Sequence, residues 1–191
     1  MTKGRLEAFS DGVIAILITI MVLEFKVPEE GTISALRPLL PKFLSYVLSF
    51  VFLGIYWNNH HHLWQAAKEV NGSILWANMH LLFWLSLIPF VTGWMGENNF
   101  ARLPVAFYGG VLWLSAMAYY IMVRAMLAHH GKDSLLSKAL GDGKKERISL
   151  AIYAVAIPLA FVASWFSALL YVVVAIIWLI PDRRIENKLT K

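Results

Sequence analysis

The chain has 191 residues, of which 59% are hydrophobic, a mean hydropathy of +0.61 and recurrent apolar runs of about twenty residues, which excludes an ordinary soluble domain and indicates an integral membrane protein. It contains no cysteine, so disulfides and thiolate metal sites are excluded. The net charge of +5 sits in segments between apolar runs, which points to membrane topology rather than to nucleic acid.

The first apolar stretch, 5–27, is about 34 Å long as a helix, enough to cross a hydrocarbon core of roughly 30 Å. A helix beginning after Asp11 is too short, so Arg5, Phe9, Ser10 and Asp11 belong to the spanning helix. A signal peptide is disfavoured, because the run ends at Val22-Leu23-Glu24 with no small-x-small cleavage site. A loop with Glu29, Glu30 and Gly31 leads to a second span over 41–65, opened by Pro41. The third covers 73–95 and the fourth 102–127, with Gly109 and Gly110 inside it to permit close helix packing. The stretch 148–181 carries no charge before Asp182, and at about 50 Å it is too long for one crossing. Both of its flanks are basic, so an even number of crossings is expected. A turn near Ser164–Ser167 divides it into spans 147–164 and 167–181, the first kinked at Pro158.

The predicted fold is therefore all-α, a single six-helix transmembrane domain over 1–191. Thirteen of the 17 lysines and arginines fall in segments on the side of the N-terminus, and four (Lys26, Arg37, Lys42 and Arg102) on the other. That asymmetry places both termini in the cytoplasm. No internal repeat is visible.

At 100° per residue, Phe9, Gly12, Ile16, Thr19, Ile20 and Leu23 share one stripe of the first helix with Arg5. Ser10 lies about 140° from Arg5 and Asp11 about 240°, on other sides. The stripe suits lipid or a neighbouring helix. It equally suits a pore lined by Ile16, Ile20 and Leu23 from several copies, since hydrophobic constrictions gate by dewetting. Arg5 and Asp11 make a poor pair within one helix, so each is expected to meet a partner on another helix or subunit. Capping of a later-starting helix by Ser10 or Asp11 is the competing reading, and polar glue between helices is another.

The second span holds Tyr56-Trp57-Asn58-Asn59-His60-His61-His62-Leu63-Trp64. Consecutive helical residues point 100° apart, so three adjacent histidines do not ligate one ion, and a two-histidine site lacks its third ligand. His60 with Trp64, and Trp57 with His61, share faces at i, i+4. His80 on the third span is placed to approach one of them. Buried hydrogen-bonding histidines and a proton relay are the two readings left open. His129 and His130 are expected to be solvated. No nucleophile elbow, zinc-protease motif, phosphate loop or carbonyl-filter loop is present, so no enzyme is expected, and neither a metal nor a cofactor.

The R-x-x-x-F-S-D pattern (Arg5, Phe9, Ser10, Asp11), with Trp57, His60 and His61 on the second span and Asn78 to Pro89-Phe90 on the third, resembles the transmembrane-protein-175 family of potassium channels. The resemblance covers the whole chain. It implies a homotetramer of six-helix subunits in a prokaryotic plasma membrane, with the first helix of each subunit lining a central pore. Permeating potassium, lipid and other copies of the chain are then its partners. The family's pore positions fall on Ile16, Thr19, Ile20 and Leu23, and Arg5, Ser10 and Asp11 resemble its polar network. Modest potassium selectivity is expected to arise at an apolar neck, because potassium holds its water less tightly than sodium does. Glu24, Glu29 and Glu30 would concentrate cations at the outer mouth. The alternative is a proton-coupled transporter or membrane enzyme using His60, His61, His80 and Asp11, which requires a polar cavity within one subunit. A scaffold without permeation is a third option.

Overall fold

The computed structural model describes residues 2–67, 69–131 and 143–179. Lys68, Lys132, Lys138, Arg183, Arg184, Lys188 and Lys191, seven of the cations used to orient the chain, lie outside them, as do residues 180–181 of the last expected span. Seven α-helices are present among the described residues and no strand: α1 Lys3–Ile20, α2 Leu40–Ala66, α3 Gly72–Ser86, α4 Ile88–Glu97, α5 Arg102–His130, α6 Lys144–Leu159 and α7 Ser164–Leu179. A 3-10 turn, Met21–Glu24, extends α1, and a second, Ile33–Leu39, leads into α2.

Among the described residues, four segments are long and apolar enough to cross a membrane: Lys3–Glu24, Ile33–Ala66, Gly72–Glu97 and Arg102–His130. The third is two helices, α3 and α4. Pro89 has no N–H to offer Leu85, so the chain breaks at Leu87 and resumes with the Val91 N–H on the Leu87 carbonyl at 3.1 Å. α6 and α7 have 16 residues each, about 24 Å of helix. The turn between them occupies 160–163, earlier than the 164–167 expected. Pro158 lies inside the last turn of α6, and the Ser167 hydroxyl donates to the Ala156 carbonyl at 2.7 Å inside the core.

The rods alternate in direction. At one end Lys3 Nζ donates to the Ala67 carbonyl at 3.0 Å, tying the start of α1 to the end of α2. At the opposite end Lys42 pairs with Glu97 at 2.9 Å, and Phe100 stacks on Trp165 with ring centroids 4.6 Å apart. The link from α4 to α5 closes like a Schellman motif: Phe100 N–H bonds the Met95 carbonyl and Asn99 N–H that of Gly96, with Asn99 in the left-handed region at φ 49°.

α5 is the central post, packed on α3, α4, α6 and α7, and α1 packs on α2, α3 and α4 at the other side of the bundle. Hydroxyls fasten the middle of the molecule. Ser49 on α2 lies 2.6 Å from Thr92 on α4 and 2.9 Å from Tyr108 on α5. All three are buried, where a hydroxyl needs a protein partner because lipid offers none.

Candidate functional site

α1 has three distinct faces. Leu6, Ser10, Ile14, Leu17 and Met21 form its buried back. The stripe of Arg5, Phe9, Gly12, Ile16, Thr19, Ile20 and Leu23 is turned away from the subunit and exposed, with Ile16 62% and Leu23 77% accessible. Between them lies a polar edge facing α2.

That edge is a two-point clasp. Trp57 Nε1 donates to Asp11 Oδ1 at 3.1 Å, and one turn closer to the N-terminus His61 Nδ1 meets Glu7 Oε1 at 3.1 Å. Glu7 and Asp11 are i, i+4 on α1, Trp57 and His61 are i, i+4 on α2, and the helices run antiparallel, so each pair finds the other. Trp57 and His61 also stack on each other at 5.9 Å, and Gln65 Nε2 lies 2.8 Å from His61 Nε2. Glu7 was not among the residues expected to matter. The signal for it was its helical register with Asp11, about 40° away on the same face.

The back of α1 is held by a buried relay. His60 Nε2 lies 2.7 Å from Asn78 Oδ1, Asn78 Nδ2 donates to Ser10 Oγ at 2.9 Å, and Ser10 Oγ donates to the Leu6 carbonyl at 2.9 Å. It joins α2, α3 and α1 in one line. Trp64 Nε1 approaches the same His60 nitrogen at 2.8 Å. One ring nitrogen cannot donate to Asn78 while accepting from Trp64, so the two contacts are alternatives set by the tautomer. His60 Nδ1 is buried and meets no partner among the described residues.

Arg5 is exposed at the N-terminal end of the stripe. Thr19 Oγ1 lies 3.0 Å from the carbonyl oxygens of both Ala15 and Ile16. Its proton is thus committed to its own helix, and its lone pairs turn outward among the apolar side chains.

The histidines disperse. His60 is buried against Asn78, His61 faces Glu7, and His80 is exposed on α3 and accepts from Trp84 Nε1 at 2.9 Å. Among the described residues His60, His61, His80 and Asp11 form no common site, and no group of three or more His, Cys, Asp or Glu is placed to hold a metal ion. His129 is exposed and His130 half-buried at the end of α5, so His129 at least is solvated as expected. Both also meet the α2–α3 turn, with His129 Nδ1 3.2 Å from Asn71 Nδ2 and His130 Nε2 accepting from the Glu69 backbone N–H at 3.3 Å.

A bundle of apolar rods whose first helix is clasped from behind and bare in front belongs to the class of all-helical membrane proteins that present one helix to other copies or to lipid. A family model described as endosomal/lysosomal potassium channel TMEM175 matches residues 5–89. A potassium channel of Chryseobacterium sp. is 56% identical over 189 residues, covering 99% of this chain and 98% of that protein. A potassium channel of Chamaesiphon minutus is 31% identical over 192 residues, covering 91% of each. The crystal structure of a lysosomal potassium-selective channel TMEM175 homolog from Chamaesiphon minutus matches with a TM-score of 0.78 and 30% identity, over 92% of this chain and 95% of that one. The chain belongs to the TMEM175 family.

Proposed function

We propose that the chain is one subunit of a passive, potassium-selective cation channel in the prokaryotic plasma membrane, a homotetramer of six-helix subunits with both termini cytoplasmic. Its ion path runs along the bare stripe of α1. The observation that carries this reading is the contrast on that helix: every strong polar contact ties its back and side, and Ile16, Thr19, Ile20 and Leu23 are left facing out. One helix cannot enclose a pore, so the stripe needs symmetric copies. Family membership and the potassium channels among the relatives support the same assignment.

In this reading rings of Ile16 and Leu23 form a neck too apolar for an ion with its full water shell. Potassium sheds water more readily than sodium and passes preferentially. Outward lone pairs of Thr19 replace part of the lost hydration between the two rings, and no carbonyl cage is needed. Glu24, exposed at the end of the 3-10 turn that extends α1, raises the local cation concentration at the outer mouth.

The test is reconstitution into liposomes with a potassium gradient and a voltage-sensitive dye. Wild-type protein should carry passive flux that scales with the gradient. Ile16→Asn and Leu23→Asn should each raise flux by about tenfold, a barrier drop of roughly 1.4 kcal/mol, and bring sodium and potassium fluxes closer together. Wild-type flux and ion preference in both variants, with folding intact, would remove α1 from the ion path.

A further inference from the structure

On the far side of α2 from α1 lies a pocket of about 450 Å³ of empty space, counting its open mouth. It is walled by α2, α5, α6 and α7, and none of the clasp, relay or stripe residues lines it. Its walls are aromatic rings, chiefly Tyr56, Tyr119, Tyr153 and Trp178. Tyr56 and Tyr119 meet edge to face at 6.2 Å, and Tyr119 and Trp178 at 6.3 Å.

Apart from the phenol hydroxyls of Tyr56, Tyr119 and Tyr153, which both donate and accept, the polar groups around the pocket offer lone pairs rather than protons. Asn59 spends its Nδ2 on the Ile55 carbonyl at 2.8 Å, which leaves its Oδ1 as the group to present. Ser149 donates to the Lys145 carbonyl at 2.8 Å and accepts from Trp178 Nε1 at 2.8 Å. Glu146, in the first turn of α6 and half-buried, supplies a carboxylate. Neither lysine nor arginine lines the pocket among the described residues. Glu146 and Ser149 open α6 and Trp178 falls in the last turn of α7, so the pocket lies toward the end of the bundle that carries the N-terminus.

A carboxylate among electron-rich rings, with no cation among the lining residues, disfavours anions that bring no cation of their own and attracts an ammonium group. We propose that this pocket is a binding site for an organic ammonium group, with Glu146 as its counter-charge and the rings of Tyr56, Tyr119 and Trp178 around its apolar body. The ammonium has two possible sources, a soluble amine or the headgroup of phosphatidylethanolamine in the adjoining leaflet.

Fluorine NMR of para-fluorophenethylammonium tests this on the full-length protein in nanodiscs. Binding does not depend on conduction, so this result stands or falls apart from the channel assignment. The wild type should broaden the probe's signal saturably, and the neutral isostere para-fluorophenylethanol should bind at least about tenfold more weakly. Glu146→Gln should weaken the ammonium by a similar factor and leave the alcohol unchanged. Ala116→Leu, which fills the pocket without changing its charge, should weaken both; melting temperatures of both variants report whether each has folded. Equal binding of probe and isostere, or wild-type ammonium affinity in Glu146→Gln, overturns the proposal. Nanodiscs of fixed phosphatidylglycerol content separate the sources. Competition with the probe by phosphatidylethanolamine, but not by a galactolipid, assigns the headgroup, and no competition by either assigns the soluble amine.

Discussion

Replacing Asn78 by Ala is expected to loosen α1 from the rest of the subunit at a cost of about 2–4 kcal/mol. Asn78 is fully buried and bridges His60 on α2 to Ser10 on α1. Alanine removes an acceptor and a donor together, so the loss is more than one net hydrogen bond of about 1 kcal/mol. Two groups lose partners at a site that water does not reach, and an orphaned buried polar group costs about 1–3 kcal/mol. Polar contacts between membrane helices average only about 0.6 kcal/mol when both members can re-pair, which makes the lower end of the range the safer expectation. Ser10 retains the Leu6 carbonyl, and His60 can turn to Trp64, so the network is not wholly stranded.

The control is Asn98→Ala. Asn98 is exposed at the end of α4 and bonds only a carbonyl of its own helix, that of Trp94 at 2.8 Å, so its loss should fall within about 0.5 kcal/mol. Melting curves of the detergent-solubilised protein give the comparison. If the two variants melt together, the buried relay contributes nothing and α1 is positioned by the clasp alone. Liposome flux adds a second readout. On the proposed assignment of α1 to the ion path, loss of its rear support should lower potassium flux, or the discrimination against sodium, at temperatures where the variant is still folded.

The three faces of α1 were largely legible in the sequence because helical periodicity is a local property. The stripe of Ile16, Thr19, Ile20 and Leu23 follows from 100° steps, and these residues are indeed turned away from the subunit, while Ser10 and Asp11 point elsewhere. What they point at was not legible. Ser10 and Asn78 are 68 residues apart, and nothing short of the fold says that α3 lies behind α1. The histidine run shows the same limit. Spacing separates His60 from His61, but the direction each takes depends on which helix packs against which side of α2. His80 was grouped with them on membership of the next span and in fact faces outward. Two further features are local. Pro89 forecasts the break at Leu87, and the i, i+4 register of Glu7 with Asp11 forecasts a second grip on α2.

Gly109→Ala should be among the most damaging single-methyl changes in the protein, and it sets two opposed effects against each other. Alanine is the better helix former by about 1 kcal/mol, so propensity alone predicts a gain. Sterics predict the reverse. A Cβ on Gly109 would run into the Tyr171 hydroxyl and come within 2.5 Å of Tyr171 Cζ. That ring cannot swing aside cheaply. Tyr171 is fully buried, its hydroxyl donates to the Val105 carbonyl at 3.2 Å and lies 3.0 Å from Ser167 Oγ, and its ring packs on Tyr108 and Tyr153 at 5.7 and 6.0 Å. Overpacking of this kind costs about 1–3 kcal/mol, and losing the Val105 bond adds about 1 more, which outweighs the propensity term. Gly110→Ala is the internal control: the added Cβ meets nothing within 4 Å, so it should be neutral or slightly stabilising. The double variant Gly109→Ala with Tyr171→Phe identifies the mechanism. Removing the hydroxyl relieves the closest contact and leaves the one at Cζ, so the pair should be less destabilised than the sum of the single changes by about 1 kcal/mol. Equal melting temperatures for Gly109→Ala and Gly110→Ala would show that α5 and α7 are not locked at this contact. Strict additivity in the double variant would place the damage somewhere other than the Tyr171 ring.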